Sequence, residues 1–366
     1  MASNPPFRAE HVGSLLRPRA LKDAARGRAA GTLDDATYRA TLDAAVRDAV
    51  ALQESVGLQL VTDGELGRSS WFGFFFERLE GFTIEPSRFR FRDAAGGTYE
   101  WMTCYASGPM RRPRGIATEE LERLRGLTTR MPKANLPTPS VLHFFRGDEC
   151  RDPAVYPDMD AWWADLVGIY RAEVADLAAH GCRYLQLDEV PMAMLCDPDV
   201  RDQVAATGAS PDALLATYLA KVDEVLAGRP PELTVAMHLC RGNFRSRWMA
   251  SGGYEPVAEQ LFAQPGVDAF FLEYDDERAG DFAPLRHLPP DKVVVLGLVS
   301  TKTPVLEDAD DLLRRIEEAS RYVPAHQLAV SPQCGFASVA GGNSVDEDTQ
   351  RRKLELVVQV AERAWS

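Results

Sequence analysis

An α/β fold of parallel strands, closed as a (β/α)8 TIM barrel, is what this sequence predicts. Three observations carry the prediction. Short apolar, β-branched runs recur along the chain and tend to end in polar residues, helical stretches separate most of them, and 366 residues suit one barrel with an insertion better than two domains. A single catalytic barrel domain over 1–366 is therefore expected, with an inserted segment at about 68–130.

The first strand is expected at 11–15, ended by Arg17 and Pro18. A short helix follows at 20–28, Gly31 breaks it, and Asp34 and Asp35 cap an amphipathic helix that runs to Val56 and stops at Gly57. Residues 58–65 read as a second strand with an apolar body and a polar tip at Asp63 and Glu65. Between 68 and 130 the alternation lapses, and loops of that length in a compact domain are usually lids or binding loops. The aromatic block at 71–76 is expected to be mostly core packing, 101–107 hairpin-like, and Arg111, Arg112 and Arg114 a solvated turn.

Alternation resumes at 133–142, a strand in which Pro137 and Pro139 suggest irregular pairing. A helix over 160–179 stops at His180 and Gly181. Residues 182–189 form the next strand, tipped by Asp188 and Glu189, two adjacent carboxylates that are costly to bury unless paired or functional. Pro211 opens a helix to Leu226. Strands at 233–237 and 268–274 flank a helix at 253–262, and the unbroken apolar run at 292–300 is what a parallel strand covered on both faces requires. Helix 306–321, strand 327–331 and helix 346–365 complete a count of eight strands.

The chemistry gathers at strand ends. His238 and Cys240 leave the end of strand 233–237 on one side, two residues apart. Glu273 sits at the end of the next strand and Cys334 shortly after 327–331, so nitrogen, sulfur and oxygen donors converge in a set suited to Zn2+. Two thiolates and a carboxylate make such a site formally negative, which suits alkylation of a bound thiol better than activation of water.

A net charge of −13 disfavours nucleic acid and anionic membranes as partners and points to small molecules. No apolar run approaches a membrane span and the first residues lack a signal-peptide pattern, so a cytoplasmic protein is expected. Six scattered cysteines read as reduced thiols rather than a disulfide framework. A homo-oligomer is compatible with all of this.

At this point the sequence resembles the cobalamin-independent methionine synthase family, in its C-terminal catalytic barrel. The resemblance is carried by His11, Gly13 and Ser14, by Gly64 and Glu65, by Asp188 and Glu189, by His238 and Cys240, by Glu273, and by the stretch from Ser331 to Cys334. It implies a MetE-like fold and a catalytic zinc on His238, Cys240, Glu273 and Cys334. It implies a homocysteine thiol as methyl acceptor, with the amino acid held by His11, Ser14, Glu65 and Asp188. Protonation of a folate-type leaving nitrogen needs a general acid, for which Asp188, Glu189, His143 and His326 are candidates. Full-length synthases carry a further N-terminal domain that helps hold a polyglutamylated folate, whereas this chain starts at the catalytic barrel, so methyltetrahydrofolate or another small methyl donor is expected. Epoxyalkane:coenzyme M transferases resemble the same barrel, which leaves thiol alkylation of a different substrate as the alternative. Uroporphyrinogen decarboxylases share the fold without zinc, but their arginine-rich motif is not evident.

Overall fold

The computed structural model describes residues 7–92 and 96–365. Its strands in chain order are β1 (Leu60–Val61), β2 (Glu80–Pro86), β3 (Phe91–Arg92), β4 (Thr98–Tyr99), β5 (Met102–Arg111), β6 (Met131–Pro137), β7 (Tyr184–Glu189), β8 (Thr234–Leu239), β9 (Ala269–Glu273), β10 (Val293–Val299) and β11 (Leu328–Pro332). Seven of them form one curled parallel sheet in the order β1-β6-β7-β8-β9-β10-β11. Helices Asp35–Ser55, Met159–Ala179, Pro211–Leu226, Glu255–Phe262, Ala309–Ala319 and Glu347–Ala364 alternate with most of these strands. Asp34, Asp158, Ser210, Asp308 and Asp346 cap five of the helices by accepting from backbone N–H groups of the first turn.

The sheet corrects the expectation of a closed eight-stranded barrel. Residues 11–15 are not a strand. Just before them the chain touches β11 through one parallel bridge, Ala9 to Val330, and Gly13 at φ 147° then breaks the extended run. From there side chains replace the ladder: Asn135 Nδ2 and Gln186 Nε2 each donate to the Val12 carbonyl at 2.8 Å, and Thr62 Oγ1 donates to the Gly13 carbonyl at 2.7 Å. The segment fills the seam between β11 and β1 without continuing either strand.

The expected strand 133–142 is also shorter. β6 ends at Pro137, and Pro139 starts the helix Pro139–Phe144, where its missing N–H costs nothing. Within 68–130, β2 pairs antiparallel with β5, β3 pairs with β4, and helix Thr118–Arg125 leads back to β6. Arg112 is not solvated as expected but pairs with Glu173 at 2.8 Å and with Asp176, while Arg111 and Arg114 are exposed.

Period-two alternation decides what faces the inside of the curl. Val12, Leu60, Tyr184, Ala236, Ala269, Phe271, Val295 and Ala329 form a small inner cluster, whereas Leu185, Leu187, Val235, Met237, Phe270 and Leu272 pack outward with the helices in the large core. The inner column therefore continues toward the C-terminal strand ends through Gln186 and Asp188 on β7 and His238 on β8.

Candidate metal and substrate site

A cavity of about 30 Å³ lies at the C-terminal end of the sheet, with room for roughly two waters. Ser14, Glu65, Asp188, His238, Cys240, Asn243 and Cys334 line it on the polar side, and Trp71, Phe91, Trp101 and Phe145 on the aromatic side. Segment 68–130 supplies three of those four rings. Trp101 meets Phe145 edge to face at 4.6 Å and Phe91 at 5.6 Å. Phe72, Phe74, Phe75 and Phe76 are buried in the core, as expected of the aromatic block, while Trp71 faces the cavity.

The ligand atoms of His238, Cys240 and Cys334 all lie within 4.8 Å of one another. The two Sγ atoms are 3.9 Å apart, close to the spacing of about 3.8 Å that two thiolates take on one tetrahedral zinc, and too far for a disulfide. Neither ring nitrogen of buried His238 has a partner at good hydrogen-bond geometry, the Cys334 sulfur being near enough only to interact with the ring electrostatically, a cost that a metal ion would remove. The hydrogen bond with Cys240 holds the Cys334 thiol well down against burial, and the Cys240 thiol moves up in turn. A nitrogen and two sulfurs with an orphaned imidazole fit zinc.

Glu273, expected as the fourth ligand, stands outside this group. Lys302 Nζ donates to its Oε1 at 2.7 Å, and the Arg241 backbone N–H donates to Oε2 at 2.6 Å. Burial pushes the Glu273 carboxyl up, but Lys302, Arg241 and Arg278 outweigh it and hold the group down to about 2.

Glu65 and Asp188 share the cavity wall, with Glu65 at φ 55°. Burial raises the Glu65 carboxyl to about 8; Arg68, 3.7 Å away, opposes the shift, and Asp188 and Asp63 add to it. Asp188 is likewise raised, mainly by burial. Gly13 has no side chain because a Cβ there would lie 2.6 Å from Asn135 Nδ2 and 3.0 Å from Glu65 Oε1.

Two expected residues lie elsewhere. Glu189, next to Asp188 on the strand, points outward by alternation and accepts from Thr138, Ser140 and the Met192 N–H. Burial raises it to about 7 against those bonds. His11 is buried behind the cavity, with Nε2 3.3 Å from the Leu60 carbonyl. Of the other acid candidates, His143 is bonded to Tyr218 OH at 2.8 Å and Asp148 at 3.1 Å, away from the cavity, and His326 is exposed. Sequence reasoning missed Lys302, Gln186 and Asn243. Gln186 had a signal, two residues before Asp188 on the same face.

A curled parallel α/β sheet with a His–Cys–Cys cluster compatible with a metal site, beside a carboxylate pair at its C-terminal edge, defines the class of protein. The chain belongs to the cobalamin-independent methionine synthase family, whose profile, described as "Cobalamin-independent synthase, Catalytic domain", matches residues 7–363. It is therefore a methyltransferase-family protein acting on a donor and acceptor pair. The uncharacterized protein YxjG of Bacillus subtilis is 40% identical over 99% of this chain and 95% of its own length. The methionine synthase of Pyrococcus abyssi is 26% identical over 89% of this chain and 85% of its own. Among solved structures, a putative vitamin-B12 independent methionine synthase from Listeria monocytogenes superposes with a TM-score of 0.77 at 32% identity, covering 99% of this chain and 98% of its own. No helix among the described residues is long and apolar enough to cross a membrane.

Proposed function

We propose that this protein methylates the thiol of homocysteine to give methionine, from methyltetrahydrofolate or another small methyl donor, with zinc on His238, Cys240 and Cys334. The observation that carries the reading is one cavity wall holding both the three clustered ligand atoms and the pair Glu65 and Asp188. Zinc bound there supplies deprotonation of the substrate thiol, which free in water is mostly protonated near neutral pH. Glu65 and Asp188 hold the ammonium of the amino acid, and Ser14 Oγ faces the same space for its carboxylate. The rings of Trp71, Phe91, Trp101 and Phe145 exclude water and strengthen each polar contact inside. Glu273 stays with Lys302 in this reading, and Glu189 braces the turn after β7.

Thiol alkylation on a different acceptor, in the manner of epoxyalkane:coenzyme M transferases, is favoured by the aromatic wall alone. An anionic acceptor such as coenzyme M would place its sulfonate against Glu65 and Asp188, so the amino-acid reading is preferred. The test is methionine formation by zinc-loaded protein from homocysteine with a panel of methyl donors, followed by mass spectrometry. Methionine with at least one donor, lost along with zinc in Cys240→Ser, supports the reading. No methionine with any donor, or full zinc occupancy in both Cys240→Ser and Cys334→Ser, overturns it.

A further inference from the structure

Behind Asp188 stands a line of buried polar groups that runs along the inside of the sheet. Lys133 on β6 and Gln186 on β7 face the interior, and both are almost wholly buried. Lys133 Nζ donates to the Gln186 side-chain oxygen at 2.8 Å and to the His11 carbonyl. Gln186 Nε2 donates to Asp188 Oδ1 at 2.7 Å and to the Val12 carbonyl at 2.8 Å.

This arrangement leaves the amide one orientation. An ammonium has donors and no acceptor, so the Gln186 oxygen must face Lys133, and the NH2 group must face Asp188. Both amide hydrogens are then used, one on the seam segment at Val12 and one on the carboxylate. Asp188 Oδ1 is thereby engaged from the interior side, while the residue still lines the cavity. Turning the amide over would set its oxygen against the carboxylate and the Val12 carbonyl and its nitrogen against the ammonium, three repulsive contacts in a low-dielectric interior.

We infer that Gln186, locked by Lys133, is a positioning residue that fixes the Asp188 carboxylate with one oxygen turned to the cavity, and so selects thiols that carry an ammonium group over thiols that do not. The inference rests on the proposed reading of Asp188 as an ammonium partner, and it names a specificity determinant two residues removed from any substrate contact.

The experiment measures binding to the zinc-loaded full chain of homocysteine and of 4-mercaptobutyrate, which keeps the thiol and carboxylate and lacks the amine. The wild type is expected to prefer homocysteine by tenfold or more. Gln186→Met, which keeps the volume and removes the amide, is expected to lose most of that ratio through weaker homocysteine binding. Its 4-mercaptobutyrate affinity and zinc content should stay unchanged. In turnover the loss should fall on KM, with kcat within about twofold. Lys133→Met leaves the Gln186 amide held only through its NH2 group, by Asp188 and the Val12 carbonyl, and is expected to lose part of the ratio; it carries the test if Gln186→Met does not fold. A wild type that does not distinguish the two thiols overturns the ammonium-binding reading together with this inference. A wild type that does, with the ratio intact in the folded variants, overturns the positioning role alone.

Discussion

Glu65 and Glu273 are the same side chain, equally buried at the same end of the sheet, and the structure treats them in opposite ways. Glu273 is met by Lys302 at 2.7 Å, by the Arg241 N–H at 2.6 Å and by Arg278 at 3.5 Å, and is held ionised, down to about 2. Glu65 has Arg68 at 3.7 Å, but Glu120 takes that guanidinium through two hydrogen bonds, and Asp188 and Asp63 crowd Glu65 on the other side. Its carboxyl moves up to about 8. Burial raises both groups, so the neighbours alone make one carboxylate a finished internal ion pair and leave the other short of a cation. A buried acid whose nearest counter-charge stands 3.7 Å off and is shared with Glu120, on the wall of a cavity, is what a substrate ammonium would complete.

The sharpest way to break this contrast is to take the cation from the satisfied side. Lys302→Met strands an ionised carboxylate with only its arginine partners, and should cost about 3 kcal/mol in urea denaturation at neutral pH. A loss below about 1 kcal/mol would mean that Arg241 and Arg278 suffice.

The unsatisfied side should answer to pH. Only ionised Glu65 attracts an ammonium, so amino-acid affinity should rise through about pH 6 to 8, by up to roughly tenfold per unit, and level off above the Glu65 value of about 8. Because that value lies above the 4.5 of an unperturbed glutamate, the fold binds the proton more tightly than the unfolded chain, and Glu65 should take stability away as pH rises between the two. Glu65→Gln should flatten the affinity profile, which titration calorimetry with methionine would read; a slope unchanged in the variant refutes the assignment.

The smallest effect is expected at Glu189, a third buried carboxyl, whose partners are hydroxyls and an N–H rather than charges. Glu189→Gln keeps most of those bonds and should cost about 1 kcal/mol with no change in amino-acid affinity. A large loss of affinity there would move the substrate to the other face of β7.

Much of this was legible in the chain. The runs that became β8, β10 and β11 carry Val or Thr among apolar residues and β9 is apolar and aromatic, and the two-residue spacing of His238 and Cys240 places both on one face of an extended run. The same rule applied to Asp188 and Glu189 separates them, because neighbours on a strand cannot both face inward, so these two acid candidates stand on opposite faces of β7. The seam at 8–15 was not legible, since its carbonyls are satisfied by Asn135, Gln186 and Thr62, side chains far away in sequence. Glu273 is expected as a ligand because it ends a strand beside His238. Its partner Lys302 follows β10 and became visible only when the strands were placed side by side.

The chamber above the sulfurs is walled by four aromatic rings, three of them supplied by segment 68–130. In the proposed methyl transfer both reactants would pass those rings on the way to the sulfurs. Substitution of Trp101 would then change the rates at which ligands enter and leave as well as how they fit.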